Sequence, residues 1–309
     1  MNVYIDGISI LSQKIDPEKP YEFPIEIPPA KLRRNSRYNK LACSAADLAL
    51  KDCTDFGGID RHRIGTIIST GYGAVEYFSD FADQVVKGDP AACSPALFSG
   101  SVPNSCVGQI AIINGLKGVS TVLAGGDPLE YSSLLMKTNR ADMILTGSVE
   151  EYFKPLYESI SSFDAAKGTK LSEGAAMMVF RSIKTEKTYC EVCGHSGISL
   201  GADPYIHKLN DVSELIVDVL KKQEPPDIIF TAENGTYFDE IEETAIKQTF
   251  PTTETYAPKK EYGESLGCGF ALSTALAAKE IKNGKYGSVL VTGVDMIGNY
   301  CTVMLKAVK

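Results

Sequence analysis

Apolar positions along this chain alternate between two periods. Residues 3–11 and 66–70 read as short buried strands, and residues 36–52 carry Leu41, Ala45 and Leu48 at helical spacing. The rhythm continues with a helix over 75–87, a helix over 109–114 closed by Gly115, and a strand over 119–124. A helix over 128–139 and a strand over 143–147 follow, then strands over 175–181 and 189–200. The second half predicts a helix over 212–222, a strand over 227–232, and helices over 239–248 and 266–282. Strands over 288–293 and 300–306 finish the chain. Strands alternating with helices imply an α/β protein with covered sheets.

The two halves share a pattern. The run Ile67 to Phe78 parallels Ile228 to Phe238, and Lys137 to Gly147 parallels Lys282 to Gly293. The offset is 160 residues for the first pair and 146 for the second, so the first half carries an insertion of about fourteen residues. The Pro-, Ser-, Ala- and Cys-rich stretch 89–107 is its place. Two matched blocks in one order predict an internal duplication, with halves at about 1–185 and 186–309.

Composition narrows the function classes. Of 309 residues, 44% are hydrophobic and 23% charged, with 31 Lys+Arg against 39 Asp+Glu. A net charge of −8 without basic blocks argues against nucleic acid as a partner. No apolar run has the length that spans a bilayer. The opening MNVYIDGISILSQK lacks the basic start and small-residue cleavage site of a secretory signal, so a cytoplasmic protein is expected. Eight cysteines then read as reduced thiols. Cys190, Cys193 and His195 suggest zinc only weakly, since a second ligand pair is missing and strand alternation separates the two cysteines. No metal site is expected. Lys31, Arg33, Arg34, Arg37 and Lys40 form the one basic cluster, read as a solvated helix face or an internal ion pair.

An ordered series of motifs runs through the chain. It comprises Arg33-Arg34-Asn-Ser-Arg37, Asn104-Ser-Cys-Val-Gly108, Gly115 to Gly126, Arg140 to Glu151, Ser162 to Gly168, Glu173-Gly-Ala-Ala176, Asn234-Gly-Thr236 and Lys259 to Gly267. In this order they resemble the β-ketoacyl-ACP synthases over nearly the whole chain. The resemblance implies the thiolase fold, a duplicated α/β unit of five layers, α-β-α-β-α. It also implies decarboxylative condensation, in which a cysteine at a helix start takes the acyl chain and two histidines stabilise an enolate.

Read onto this chain, those positions are altered. The family's Val-Ser-Thr-Ala-Cys falls on Val119 to Leu123, so Leu123 stands for the nucleophile. Asn234 and Glu264 stand for the two histidines, and the lysine is retained as Lys259. Leucine cannot form a thioester. An ionised Glu264 beside an enolate would add about 4 kcal/mol of repulsion at 4 Å. Asp127, Pro128 and Glu130 fit N-cap, N1 and N3, which moves the helix start about four residues beyond Leu123.

The resemblance therefore points to the chain-length factors, non-catalytic partners of a β-ketoacyl synthase in polyketide or fatty-acid-type biosynthesis. It implies a heterodimer with a catalytic ketosynthase and no bound cofactor. Acyl carrier protein is met through the complex, and its acyl-phosphopantetheine is handled by the partner. The strand over 119–124, with Thr121, is expected to pair across the interface. Phe98, Gln109, Ile110, Ile112 and Ile113 are the candidate interface or tunnel residues, with ordinary helix core as the competing reading. Two alternatives stay open: a homodimeric acyl or small-ligand binder, and an acyltransferase using Cys106 or Cys93.

Overall fold

The computed structural model describes residues 2–14, 21–88, 91, 93–308. Its ten strands are β1 (Val3–Lys14), β2 (Ile64–Thr70), β3 (Ser120–Ala124), β4 (Met143–Glu150), β5 (Ser172–Arg181), β6 (Cys190–Ser199), β7 (Ile228–Phe230), β8 (Glu254–Tyr256), β9 (Ser288–Val294) and β10 (Asn299–Lys306). The principal helices are α1 (Pro29–Leu32), α2 (Arg37–Asp52), α3 (Val75–Lys87), α4 (Pro95–Ser101), α5 (Ser105–Asn114), α6 (Pro128–Lys137), α7 (Lys154–Ser162), α8 (Ser213–Leu220), α9 (Phe238–Thr249), α10 (Pro258–Tyr262) and α11 (Gly269–Lys282). None of the described helices is by itself long and apolar enough to cross a membrane.

The strand order is β3-β2-β4-β5-β1-β6-β10-β9-β7-β8. Read inward from the two edges, it gives the same chain-order pattern twice. The seam is narrow: only Val3 to Ile5 pair with Cys190 to Val192. Within each half the outer pairs are parallel and the inner ones antiparallel.

Three of the four hydrophobic clusters lie between the layers of helix and sheet, and these layers number five. One lies between α2, α5 and the first half-sheet, with Leu41, Ala45, Ile110, Ile68 and Met177. Another lies between α8, α9 and the second half-sheet, with Ile216, Ala245, Ile229 and Leu290. The central core joins both half-sheets, through Ile144 and Met178 on one side and Val291 and Val303 on the other, around α6 and α11. Helix α11 packs against β5 and β9 alike. Its alternation of Ala271, Ala275, Ala277 and Ala278 with Leu272 and Ile281 leaves it buried on nearly every side, as a helix between two sheets must be. The expected α-β-α-β-α architecture is the one observed.

Differences from the sequence reading are local. Helix α5 starts at Ser105, four residues before the reading placed it, and α11 starts at Gly269 because Leu266 adopts a φ of 53°. Helices α1, α4, α7 and α10 and strand β8 were not anticipated. Each of these helices has proline at its first or second position. In a sequence that pattern reads equally well as a turn.

Three buried glutamates carry little compensating charge. Burial pushes the carboxyl of Glu150 up to about 8, and those of Glu151 and Glu242 up to about 7, against the pull of backbone and hydroxyl donors. Glu242 is held by the Thr292 hydroxyl at 2.5 Å, the Tyr300 hydroxyl at 2.9 Å and the Ala232 N–H at 3.0 Å. A raised folded-state value means stability is fully present below the unfolded value and is lost as pH rises through the folded one. Urea midpoints should therefore fall between pH 5 and pH 8, with Glu242 alone contributing about 3 kcal/mol. Glu242→Gln should flatten that slope; an unchanged slope would mean that Glu242 is ionised in the fold.

Candidate functional site

The loop after α10 and the loop after β7 converge. Asn234 and Gly235 form a turn capped by Asp239, whose two carboxylate oxygens accept their N–H groups at 2.9 Å each. Gly235 and Gly168 both adopt positive φ, 91° and 94°, and their backbones touch: a Cβ on Gly168 would lie 2.2 Å from the Gly235 carbonyl oxygen. Only glycine allows that crossing. Glu264 is anchored beside it, with its N–H donating to Lys170 O at 2.7 Å and its carbonyl accepting from Ser172 N at 2.8 Å.

This scaffold brings three of the four read positions together. Lys259 Nζ lies 2.6 Å from Glu264 Oε2, with side-chain exposures of 1% and 0%. Asn234 Nδ2 donates to the same oxygen at 2.9 Å, while Asn234 Oδ1 accepts from the Thr236 hydroxyl at 2.8 Å. The Tyr205 hydroxyl stands 3.4 Å from Asn234 Nδ2. Its pKa is driven well above the usual phenol value, first by burial and then by Glu264. Tyr157, Tyr205 and Leu266 close over the site in an apolar cluster with Tyr72 and Tyr152.

The chemistry differs from the repulsion expected of Glu264. Lys259 neutralises that carboxylate. Glu264 Oε2 takes one hydrogen bond from the Asn234 amide and one from the Lys259 ammonium, while its buried Oε1 has no hydrogen-bond partner among the described residues.

Leu123 lies apart, on the edge strand β3, paired beside Ser69 of β2. Thr66 N–H donates to Val119 O, and Gly125 N–H donates to Thr70 O. This phase turns the backbone groups of Thr121 and Leu123 toward β2, and those of Ser120, Val122 and Ala124 toward the open edge. Helix α6 begins at Pro128, where Asp127 Oδ1 accepts from the N–H groups of Leu129 at 2.7 Å and Glu130 at 3.0 Å. The helix N-terminus thus lies beyond Leu123, as the capping pattern indicated.

These features belong to a known architecture. The fold is that of the ketosynthases. A β-ketoacyl synthase from Burkholderia phymatum STM815 superposes with a TM-score of 0.85 at 16% identity, covering 100% of both chains. The ishigamide ketosynthase/chain length factor gives 0.84 at 16% identity, over 100% of this chain and 99% of that one. In sequence, the 3-oxoacyl-[acyl-carrier-protein] synthase 2 of Staphylococcus aureus (strain N315) is 24% identical, over 82% of this chain and 71% of that protein. The Coxiella burnetii (strain RSA 493 / Nine Mile phase I) protein of the same description is 22% identical with the same coverage. No family model matches the chain.

On this ketosynthase fold the remaining candidates separate. Ile110 is enclosed in the outer core, and Ile113 packs against that core. Ile112 is 76% exposed and Phe98 56%. Phe98 rests on Phe81, with ring centroids 5.3 Å apart. Gln109 lines a surface cavity beside Ala96 and Ser99. Six of the eleven exposed large hydrophobics among the described residues lie on α3, α4, α5 and the turn before α5, which marks one uncovered apolar region.

Of the two candidate nucleophilic sulfurs, Cys106 loses its chemistry, whereas Cys93 is half-buried. Cys106 is fully buried, its sulfur 3.2 Å from the Tyr38 hydroxyl, and burial pushes its thiol up to about 12. A thiol so held is a poor nucleophile. Cys190 is buried while Cys193 is exposed, and no group of three metal-ligating side chains occurs among the described residues. His195 instead bridges the halves. Its Nδ1 lies 3.2 Å from Asp127 Oδ2 and its Nε2 lies 3.0 Å from Ser133 Oγ. Ser133 sits within α6, where backbone N–H groups are already bonded, so this chain of hydrogen bonds clamps α6 to β6 and offers no oxyanion site. Sequence reasoning missed Tyr205, and it took Thr236 only as part of a motif, without its hydrogen bond to Asn234. The available signal for Tyr205 was an aromatic set in the polar loop Asp203-Pro-Tyr-Ile-His207.

Proposed function

We propose that the chain is a non-condensing, chain-length-factor-like subunit that pairs with a catalytic β-ketoacyl synthase and bounds its acyl tunnel. The observation that supports the reading is the buried Asn234–Glu264–Lys259 network within a ketosynthase fold, at residues where the resemblance puts the two histidines and the lysine, with Leu123 where it puts the nucleophile. The unpaired β3 edge and the exposed apolar residues of α3 to α5 support a protein partner on that side. An obligate pair there would bury more than roughly 2,000 Å2 in total.

On this reading the acyl-phosphopantetheine of the carrier protein is handled by the partner, and this subunit binds no cofactor. The halves 1–185 and 186–309 descend from one duplicated unit, which the repeated strand pattern supports. Ile112 and Phe98 are the residues placed to meet the partner. Ile110, held in the core, acts through packing.

The test is a pair of measurements. Intact-protein mass spectrometry with acyl- and malonyl-carrier protein should find no covalent adduct on the chain alone, and Leu123→Cys should not restore condensation. Complexes reconstituted with a synthase that has Cys-His-His should form products whose length shifts by at least one extension unit with Ile112→Ala or Ile112→Phe. A stable acyl adduct on the wild-type chain, or parental product lengths from every Ile112 and Phe98 variant, would overturn the respective half of the proposal.

A further inference from the structure

The basic cluster of the N-terminal segment does not behave as one unit. Arg37 turns inward and forms a two-pronged ion pair with Glu173, Nε to Oε2 at 2.9 Å and Nη2 to Oε1 at 2.5 Å. Lys31, Arg33, Arg34 and Lys40 make no ion pair with any carboxylate among the described residues, in a chain whose net charge is −8. Lys31, Arg33 and Arg34 are exposed.

Two cavities adjoin at this point. One, of about 430 Å3, is an apolar slot walled by Ile25, Ile27, Pro29 and Leu32, with Lys40 at its margin. The other, of about 510 Å3, is polar and takes Lys31, Arg34, Asn35 and Gln109. Ala30 and Arg33 line both, so Arg33 stands at the junction. Each volume is in the usual range of small-molecule sites, roughly 300–1,000 Å3. Ile27 and Leu32 root the slot in the outer core, whereas Ile25 is 47% exposed. Asn35 is committed to structure, its amide donating to Lys31 O at 3.3 Å and its Oδ1 accepting from Asn39 at 3.3 Å.

An uncovered apolar slot and a group of cations without ion pairs among the described residues share one residue here, Arg33. A free phosphate would leave the slot empty, and a neutral alkane would leave the cations unmatched. A single alkyl chain with an anionic head satisfies both. Arginine is the residue suited to that head, because its planar fork takes two oxygens of a phosphate or carboxylate. We propose that this groove binds one soluble amphipathic anion, an alkyl or acyl chain ending in phosphate or carboxylate, with the head on Arg33 and Arg34 and the tail in the Ile25–Leu32 slot. The proposal does not depend on the assembly reading.

The test is isothermal titration calorimetry of the full chain with dodecyl phosphate below its micelle concentration, at constant salt. Saturable one-to-one binding is expected. Decyl phosphate should bind about fourfold more weakly, because an open slot covers only part of each added methylene. Inorganic phosphate and dodecanol should each bind at least about tenfold more weakly, and Arg33→Ala should weaken dodecyl phosphate by about tenfold. Ile25→Ser, at an exposed position, should remove the dependence on chain length while leaving the thermal midpoint unchanged. Affinity independent of chain length would reduce the groove to a phosphate patch and overturn the proposal. Binding to anionic vesicles but not to the monomeric amphiphile would do the same, as would an acidic protein bound through Arg33 and Arg34 without any amphiphile binding.

Discussion

Lys259→Met should destabilise the protein by about 3–5 kcal/mol, because it strands a buried carboxylate. Glu264 is fully enclosed, and the ammonium at 2.6 Å is its only cationic partner among the described residues. The Asn234 amide alone cannot replace a charge. Adding Glu264→Leu in the same chain should recover most of the loss, since removing both members of a buried pair is often close to neutral. Urea unfolding of the two single variants and the double variant gives the coupling energy directly. If Lys259→Met costs less than about 1 kcal/mol, the pair is not a fixed part of the fold. Asn234 and Lys259 would then be available as donors, and the reading of the site as closed would fail.

Val122→Pro should abolish pairing with the proposed ketosynthase partner while the isolated chain still folds. The N–H of Val122 faces the open edge of β3, so losing it removes nothing from the ladder to β2. Thr121 is central in the strand. The ladder phase shows that Thr121 N–H serves β2, so Thr121→Pro would damage the sheet itself. Two measurements separate the cases. Co-purification should be lost with Val122→Pro in a chain that still unfolds cooperatively, its midpoint lowered only by the lost packing of Val122 on the outer core, and Thr121→Pro should lower the midpoint by several degrees more. Retention of the complex with Val122→Pro would mean that the β3 edge is not the interface.

The long elements were legible because periodicity and burial agree in them. β2, β4 and β5 are buried at every position, and their runs of apolar and small residues, broken only by Glu150, Glu173 and Arg181, show it. The start of α6 was legible because its cap is local, held by Asp127 and Pro128. The site was legible only as a set of substitutions at known positions. That Glu264 would be neutralised by Lys259, five residues earlier, depends on the one-turn helix α10 and the left-handed turn at Gly263, neither of which has a hydrophobic period to announce it. The division of the isoleucines was hidden for a different reason. α5 is apolar on several faces, so spacing alone could not say that Ile110 faces α2 and Ile112 faces outward.

Helix α11 sets the order in which this chain can be finished on the ribosome. It covers β5 and β1, yet it is synthesised almost ninety residues after β5 ends. Until residue 282 has emerged, the first half-sheet lacks α11 on its inner side, over an apolar floor that includes Ile144, Met178 and Phe180. The first half of the nascent chain is thus a sticky, half-roofed intermediate with its closing contacts far downstream. Translation arrested between residues 181 and 268 should leave that floor open to chaperones, and the two halves close on one another only when β9 and β10, which follow α11 in the chain, have also emerged.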